Sequence, residues 1–335
     1  MKTAVVTGCL GFIGSALCRR LLDGGWEVTG IDRDTYFNGM ASIDIRQNRR
    51  DSLIYSKHGD RFHFVARDIS DSVSDIRIPQ DAVVFHLAAI ANISASAKDP
   101  SLSYWNNVSS TVNAIGLAHR YKARRFVFVS SAAVYGNLAV GNGSSCTEDF
   151  PLCPINAYGA SKMAGEVVVR AFSEYVGMES VVLRPFSVYG PGMPSHLAIS
   201  KVADSIQHKT LFQMRGDGSA ERDYTYIDDM VSALVCAAKA PLFDNQDGAK
   251  CCTFNICGGN PISLKQVISS LERDFRKKAK VRKFPAEDFD AVRTAGDNSA
   301  ARKFLRWKPK VSFAEGISRF VKWRKEQPRC CQATN

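Results

Sequence analysis

A tyrosine and a lysine four residues apart, Tyr158 and Lys162 in NAYGASKMAGE, are the pair in this chain best placed to move a proton. On a helix that spacing puts both side chains on one face, within reach of one ligand. An ammonium beside a phenol favours the phenolate and lowers its pKa from about 10, which would make Tyr158 a general base near neutrality. Y-x-x-x-K also arises by chance on helices whose lysine simply points to water, so the pair needs company. Upstream, SSAAVYG closes an apolar run, and either Ser130 or Ser131 would be presented at the carboxyl edge of a strand.

A second group of residues could hold phosphate. TGCLGFIG places Gly8, Gly11 and Gly14 at the spacing G-x-x-G-x-x-G, between the apolar run of KTAVVTG and the helical pattern of FIGSALCRRLLDGG. Glycines so placed allow a tight turn, close approach of the backbone to a pyrophosphate, and close packing of helix on sheet. Phe12 and Ile13 would open the helix, where unpaired N–H groups and the positive end of the helix dipole face the phosphates. WEVTGID then ends in Asp32, whose carboxylate can accept from both adenosine ribose hydroxyls and would repel a 2′-phosphate. NAD is expected over NADP, with Arg33 the residue that could reverse the preference.

These groups need a frame. RFHFVA, DAVVFHLAA, RRFVFVSS and ESVVLRPFSVYG read as further apolar strands, with long helices expected over Leu102 to Tyr121 and Ala157 to Val176. Strands alternating with helices imply an α/β fold, a doubly wound Rossmann-type parallel sheet covered on both faces. Beyond Pro191 the alternation lapses and Gly and Pro become frequent, which suggests a smaller C-terminal substrate-binding lobe over the carboxyl ends of the strands. RDYTYIDD and CCTFNICGG read there as short strands, SLKQVISSLERDF and SFAEGISRFVKW as amphipathic helices. The expected division is residues 1–186 for the dinucleotide and 187–335 mainly for substrate, with segments around 222–257 returning to the first part.

Composition narrows the rest. With 335 residues, 45% of them hydrophobic and 23% charged, the chain can bury a sizeable core. The formal charge of +11 favours phosphate-bearing ligands. The basic excess falls late, at Arg276 to Arg282 and Arg319 to Arg329, without the pattern of a nucleic-acid reader, so no specific nucleic acid is expected. Ten scattered cysteines read as reduced thiols, not as a disulfide framework or a zinc site. With no presequence pattern before Thr3 and no apolar run long enough for a bilayer, the cytoplasm is the expected compartment and no membrane partner is expected.

Taken in order, TGCLGFIG, HLAA, SSAAVYG, YGASK, RPFSVYGPG and RDYTYIDD resemble the extended short-chain dehydrogenases, most closely nucleotide-sugar epimerases such as UDP-glucose 4-epimerase. The resemblance covers essentially the whole chain and is specific for the family more than for the substrate. It implies that Tyr158 is the catalytic base, that Lys162 binds the nicotinamide ribose and tunes the tyrosine, and that Ser131 bonds the sugar's reacting oxygen. It implies Asp68 and Ile69 against adenine, Leu87, Ala88 and Ala89 along the pyrophosphate, Asn106 beside the cofactor, and Arg222 on the substrate diphosphate. It also implies homodimers through the helices containing Tyr121 and Tyr158.

Departures from the family pattern bear on reaction and sugar. Relatives that dehydrate or decarboxylate carry an acid just before V-Y-G, where this chain has Ala132 and Ala133. Methyl groups transfer no protons, so oxidation and re-reduction at C4 are expected, making the chain an NAD-dependent 4-epimerase of a UDP-hexose or its N-acetyl form. Ser187 stands where UDP-glucose epimerases often have Asn, Glu287 near a second diphosphate-binding residue, and Thr294 near a pocket-closing aromatic. Epimerases of UDP-glucuronate have an arginine where Pro194 falls, and burying a carboxylate without that cation is costly. A neutral sugar is expected, with UDP-glucuronate 4-epimerase the alternative and His196 or a displaced arginine able to compensate. Two other readings stand behind these: an NDP-sugar 4-ketoreductase or dehydrogenase, and a non-catalytic dinucleotide-sensing or nucleic-acid-binding module.

Overall fold

The computed structural model describes residues 2–33, 43–137, 145–242, 248–286 and 290–326. The elements run β1 (Thr3–Thr7), α1 (Phe12–Asp23), β2 (Glu27–Asp32), α2 (Ile43–Ile54), β3 (Phe62–Ala66), β4 (Val83–His86), α3 (Ile93–Lys98), α4 (Pro100–Arg120), β5 (Arg125–Val129), α5 (Ala157–Val176) and β6 (Ser180–Pro185). They continue with β7 (Ser187–Tyr189), α6 (Ala198–His208), β8 (Leu211–Arg215), β9 (Glu221–Tyr226), α7 (Ile227–Lys239), β10 (Cys251–Ile256), β11 (Pro261–Ser263), α8 (Leu264–Phe275), β12 (Lys280–Phe284), α9 (Ser299–Phe304) and α10 (Phe313–Glu326).

Seven strands form one parallel sheet in the order β3-β2-β1-β4-β5-β6-β10. This is the doubly wound Rossmann arrangement, and its order reverses between β1 and β4, where such sheets open a crevice for a ligand. Buried strands need both faces covered, and alternate residues supply both. On β5, Val127 and Val129 join the core that contains Leu17 and Leu21 of α1 and Leu234 of α7. Phe126 and Phe128 join the opposite one with Ala114 and Ile115 of α4 and Val169 of α5.

The remaining strands are short. β7, β9 and β11 form a three-stranded sheet in the order β11-β9-β7, and β8 pairs with β12. Val202 of α6, Val267 and Leu271 of α8, and Phe320 of α10 belong to the same core as α1, so the packing is continuous across this part of the chain.

Two local expectations change. The run ESVVLRPFSVYG is two strands, not one: β6 pairs with β10 in the large sheet, while Ser187 to Tyr189 pair with β9. The switch falls at Phe186, whose N–H still donates to Ile256 O at 2.9 Å. The polar stretch after Asp32 contains α2, which lacks the apolar stripe that would have announced it. Among the described residues no helix is long and apolar enough to cross a membrane.

Candidate functional site

α5 starts where its sequence says it should: the Asn156 side chain accepts from Gly159 N at 2.8 Å and caps the first turn. Tyr158 lies in that turn and Lys162 one turn later. Lys162 is 3% exposed, donates from Nζ to Val129 O at 2.8 Å and sits 5.0 Å from the Phe128 ring centroid. Burial pushes its pKa down to about 7, against the pull of Glu166.

The two serines after β5 part ways. Ser130 is buried and donates to Glu166 Oε1 at 2.5 Å. Ser131 accepts from Ala133 N at 3.1 Å, and its side chain acts on the Tyr158 phenol, lowering its pKa against burial. Of the pair left open by the sequence, Ser131 is the one that meets the tyrosine. The expected electrostatics need correction. Burial raises the Tyr158 pKa, and the opposing pull comes from Ser131, since the Lys162 ammonium is held by the Val129 carbonyl. Unaided, the protein keeps Tyr158 a neutral phenol.

Behind these residues lies a charged network that the sequence reading missed. Glu166 and Arg184, 5% and 3% exposed, form a paired contact with Arg184 Nη2 2.7 Å and Nε 3.2 Å from Glu166 Oε2. Arg184 Nη1 also donates to Tyr135 Oη at 2.8 Å, and Tyr135 donates to Asn255 Oδ1 at 2.7 Å. The signals were present: Glu166 is four residues beyond Lys162 on the same helix face, and Arg184 interrupts the apolar run VVLRPF.

The glycine loop is shaped for a dinucleotide. A Cβ on Gly14 would lie 2.1 Å from Gly8 O, and one on Gly8, where φ is +70°, would lie 2.8 Å from Ala88 N. Only hydrogen fits at either place. Gly11 begins α1 without a side-chain cap, leaving the first-turn N–H groups of Phe12 and Ile13 to a ligand. Leu87 and Ala88 border the loop at Gly8, with Leu87 N donating to Thr7 O at 3.2 Å, and Ala89 follows them in the chain.

Asp32 Oδ2 accepts from Leu10 N at 2.8 Å, and Oδ1 from Arg33 N at 2.9 Å and from the Arg46 guanidinium. Arg33 reaches away to Asp68 Oδ2 at 3.0 Å. Ile69 is buried beside Asp68, and Asn113 Nδ2 donates to Ile69 O at 2.9 Å. Asn106 donates to Ser70 Oγ at 3.3 Å. Its neighbour Asn107 points elsewhere and donates to Ser161 Oγ on α5 at 2.8 Å. These residues fit NAD: a cradle with no room for side chains, uncapped N–H donors and a carboxylate at the end of β2.

On the substrate side, Arg222 and Thr294 come together at the start of β9. Thr294 N donates to Glu221 O and Asp223 N to Thr294 O, both at 3.0 Å. Arg222 Nη2 is paired with Asp290 Oδ1 at 2.6 Å. Ser187 opens β7 opposite Tyr224 on the same sheet. Phe186 packs with Ala132, Val134 and Tyr135, which joins this sheet to the turn after Ser131. Nδ1 of His196 and Oγ of Ser200 are buried without a hydrogen-bond partner. Glu287 lies outside the described residues.

Residues 4–257 match the NAD dependent epimerase/dehydratase family. The chain belongs to that family, and NAD is its cofactor. It is 31% identical over 326 residues to a UDP-glucuronate 4-epimerase of Thermodesulfobacterium geofontis, covering 96% of each chain. It is 32% identical over 329 residues to a UDP-glucose 4-epimerase of Mycolicibacterium smegmatis, covering 96% of this chain and 98% of the other. The structure of Bacillus cereus UDP-glucuronic acid 4-epimerase with UDP-glucuronic acid and NAD superposes with a TM-score of 0.85 at 29% identity, over 97% of this chain and 99% of that one.

Proposed function

We propose that this enzyme is a UDP-sugar 4-epimerase that inverts C4 through a 4-keto sugar. One observation carries the reading: Ser131, Tyr158 and Lys162 converge at the carboxyl end of β5, with alanines at 132 and 133 where an acid would be needed for dehydration.

Bound NAD supplies the acceptor and donor of the C4 hydrogen and, when oxidised, a positive ring charge. Gly8, Gly11, Gly14 and the N–H groups of Phe12 and Ile13 hold its pyrophosphate. Asp32 takes the adenosine ribose, with Asp68, Ile69 and Asn106 toward the adenine. Ser131 Oγ orients the C4 oxygen, and Tyr158 Oη exchanges the proton with it. The neutral phenol favoured by burial is the form that protonates the 4-keto oxygen on the return step. The forward step needs the phenolate, and the pull toward it that the protein supplies comes from Ser131. Arg222 leaves Asp290 to pair with the diphosphate, and Ser187 and Thr294 line the sugar nucleotide.

The sugar is neutral. Pro194 carries no charge, and burial together with Lys201 lowers the pKa of His196, so it remains uncharged at neutral pH and provides no cation for a C6 carboxylate. Residues 1–186 form the NAD part and 187–335 mainly the substrate part, with β10 returning to the large sheet. A cytoplasmic homodimer fits the exposed apolar side chains on α4 and α5, Trp105 at 69%, Val112, Val167 and Tyr175.

Purified protein, given UDP-glucose, UDP-N-acetylglucosamine or UDP-glucuronate without added cofactor, is expected to form the 4-epimer of a neutral sugar. Preference for UDP-glucuronate would overturn the neutral-sugar reading alone. Consumption of external NAD would replace the epimerase by a dehydrogenase.

A further inference from the structure

His86 ends β4 with no exposure to solvent, directly before Leu87. Its ring stacks on Phe128 at 5.7 Å, the ring that carries Lys162 on its face. An apolar ring could stack equally well. What an apolar ring could not do is hydrogen-bond from both edges: Nδ1 is 2.7 Å from Thr7 Oγ1 and Nε2 is 3.2 Å from Thr111 Oγ1.

The protons on this path can be assigned. Thr7 Oγ1 accepts from Ala88 N at 3.3 Å, and its single proton has His86 Nδ1 as acceptor. Nδ1 therefore carries the lone pair. Burial and the Lys162 charge push the His86 pKa down to about 3, so the ring is neutral and its one proton is on Nε2. Thr111 Oγ1 receives it and gives its own proton to Asn107 O at 2.8 Å. The other tautomer would bury the Thr7 hydroxyl proton without an acceptor.

Asn107 extends the path. Oδ1 accepts from Ile90 N at 2.7 Å, and Nδ2 donates to Ile90 O at 3.3 Å and Ser161 Oγ at 2.8 Å. Ser161 Oγ donates to the Tyr158 carbonyl at 2.8 Å. A continuous path of bonds thus leads from Ala88, against which Gly8 packs, to the first turn of α5.

We propose that His86, as the Nε2–H tautomer, is a positioning residue that fixes the Gly8–Ala88 edge of the cofactor cradle relative to the helix bearing Tyr158 and Lys162. The roles of those groups rest on the epimerase reading above; the hydrogen-bond path does not.

Two measurements test the proposal. Nitrogen-15 NMR of the NAD-loaded protein, with His86 assigned by its loss in His86→Gln, should show a proton on Nε2 and none on Nδ1. A proton on Nδ1, or on both nitrogens, overturns the assignment. Thr111→Val removes the acceptor at the far edge without touching the reacting atoms. It should lower kcat about ten- to a hundredfold, leave KM for the UDP-sugar unchanged, and lose NAD on gel filtration, while Thr111→Ser restores kcat and NAD retention. A Thr111→Val protein of lower melting temperature but wild-type kcat and NAD retention would reduce His86 to a core residue. If Thr111→Val does not fold, the tautomer measurement on the unaltered protein still decides. If the wild type turns over no UDP-sugar, the epimerase reading falls, and the tautomer and NAD retention still judge His86.

Discussion

The glycine cradle between β1 and β4 and the sheet of β7, β9 and β11 hold their ligand-facing groups in opposite ways. In the cradle the donors are backbone N–H groups, fixed because Gly14 and Gly8 leave no room for a Cβ and Asp32 is bonded to Leu10 N. At the start of β9 the corresponding group is a long side chain, Arg222, paired with Asp290, whose side chain is 55% exposed. A preformed backbone site suits a cofactor that every turnover needs in the same place. An arginine whose partner is solvated can exchange it for a diphosphate at little cost, because exposed ion pairs contribute only about 0–1 kcal/mol. On the proposed function, the first arrangement would fix the chemistry and the second admit the substrate.

If that contrast holds, damage should shrink from the buried side to the exposed one. Tyr158→Phe keeps the ring and removes the titrating oxygen, so turnover should fall about 10²–10⁴-fold while the circular dichroism spectrum is unchanged. Ser131→Ala, which loses one hydrogen bond and not the base, should be milder. Near-normal turnover by Tyr158→Phe would remove the tyrosine from the mechanism.

Arg184→Leu strands Glu166 as an unpaired buried charge, and urea unfolding should report a loss of about 3–5 kcal/mol. Replacing Glu166 by leucine as well should recover much of it; a double variant as unstable as the single one would mean that the pair is not what matters. Asp32→Ala should weaken NAD by about 1–3 kcal/mol in a direct binding titration, with a smaller preference over NADP. An unchanged preference would move cofactor selection from Asp32 to Arg33 or Arg46.

The legible parts of the sequence are those whose partners are close in the chain. The β1-α1-β2 unit spans Thr3 to Asp32, and its glycines and apolar period carry their own explanation. α5 is announced by Asn156 at its start and Gly177 at its end. Long-range pairings were not legible: β6 and β7 separate because Pro185 is opposite Ile256 while Ser187 is opposite Tyr224. Asn106 and Asn107 differ by about 100° around one helix, and only packing shows that the first reaches Ser70 and the second Ser161. The phenol's electrostatics escaped for the same reason, since composition says nothing of where the Lys162 ammonium points.

The smallest effect belongs to the exposed side. Asp290→Asn should release Arg222 and lower KM for the UDP-sugar by less than about fivefold, the scale of a surface ion pair, with kcat unchanged. A change in kcat instead would place Asp290 nearer the reacting atoms than the Arg222 pairing implies.

The claim that C4 is oxidised and then re-reduced within one turnover is tested most directly with whichever UDP-sugar proves to be turned over, deuterated at C4 and supplied in ordinary water without added NAD. The account predicts a 4-epimer that keeps its deuterium at C4, with no reduced cofactor accumulating in solution. A product whose C4 carries hydrogen from water would contradict it, because the carbon would then have exchanged with solvent and not with a bound acceptor.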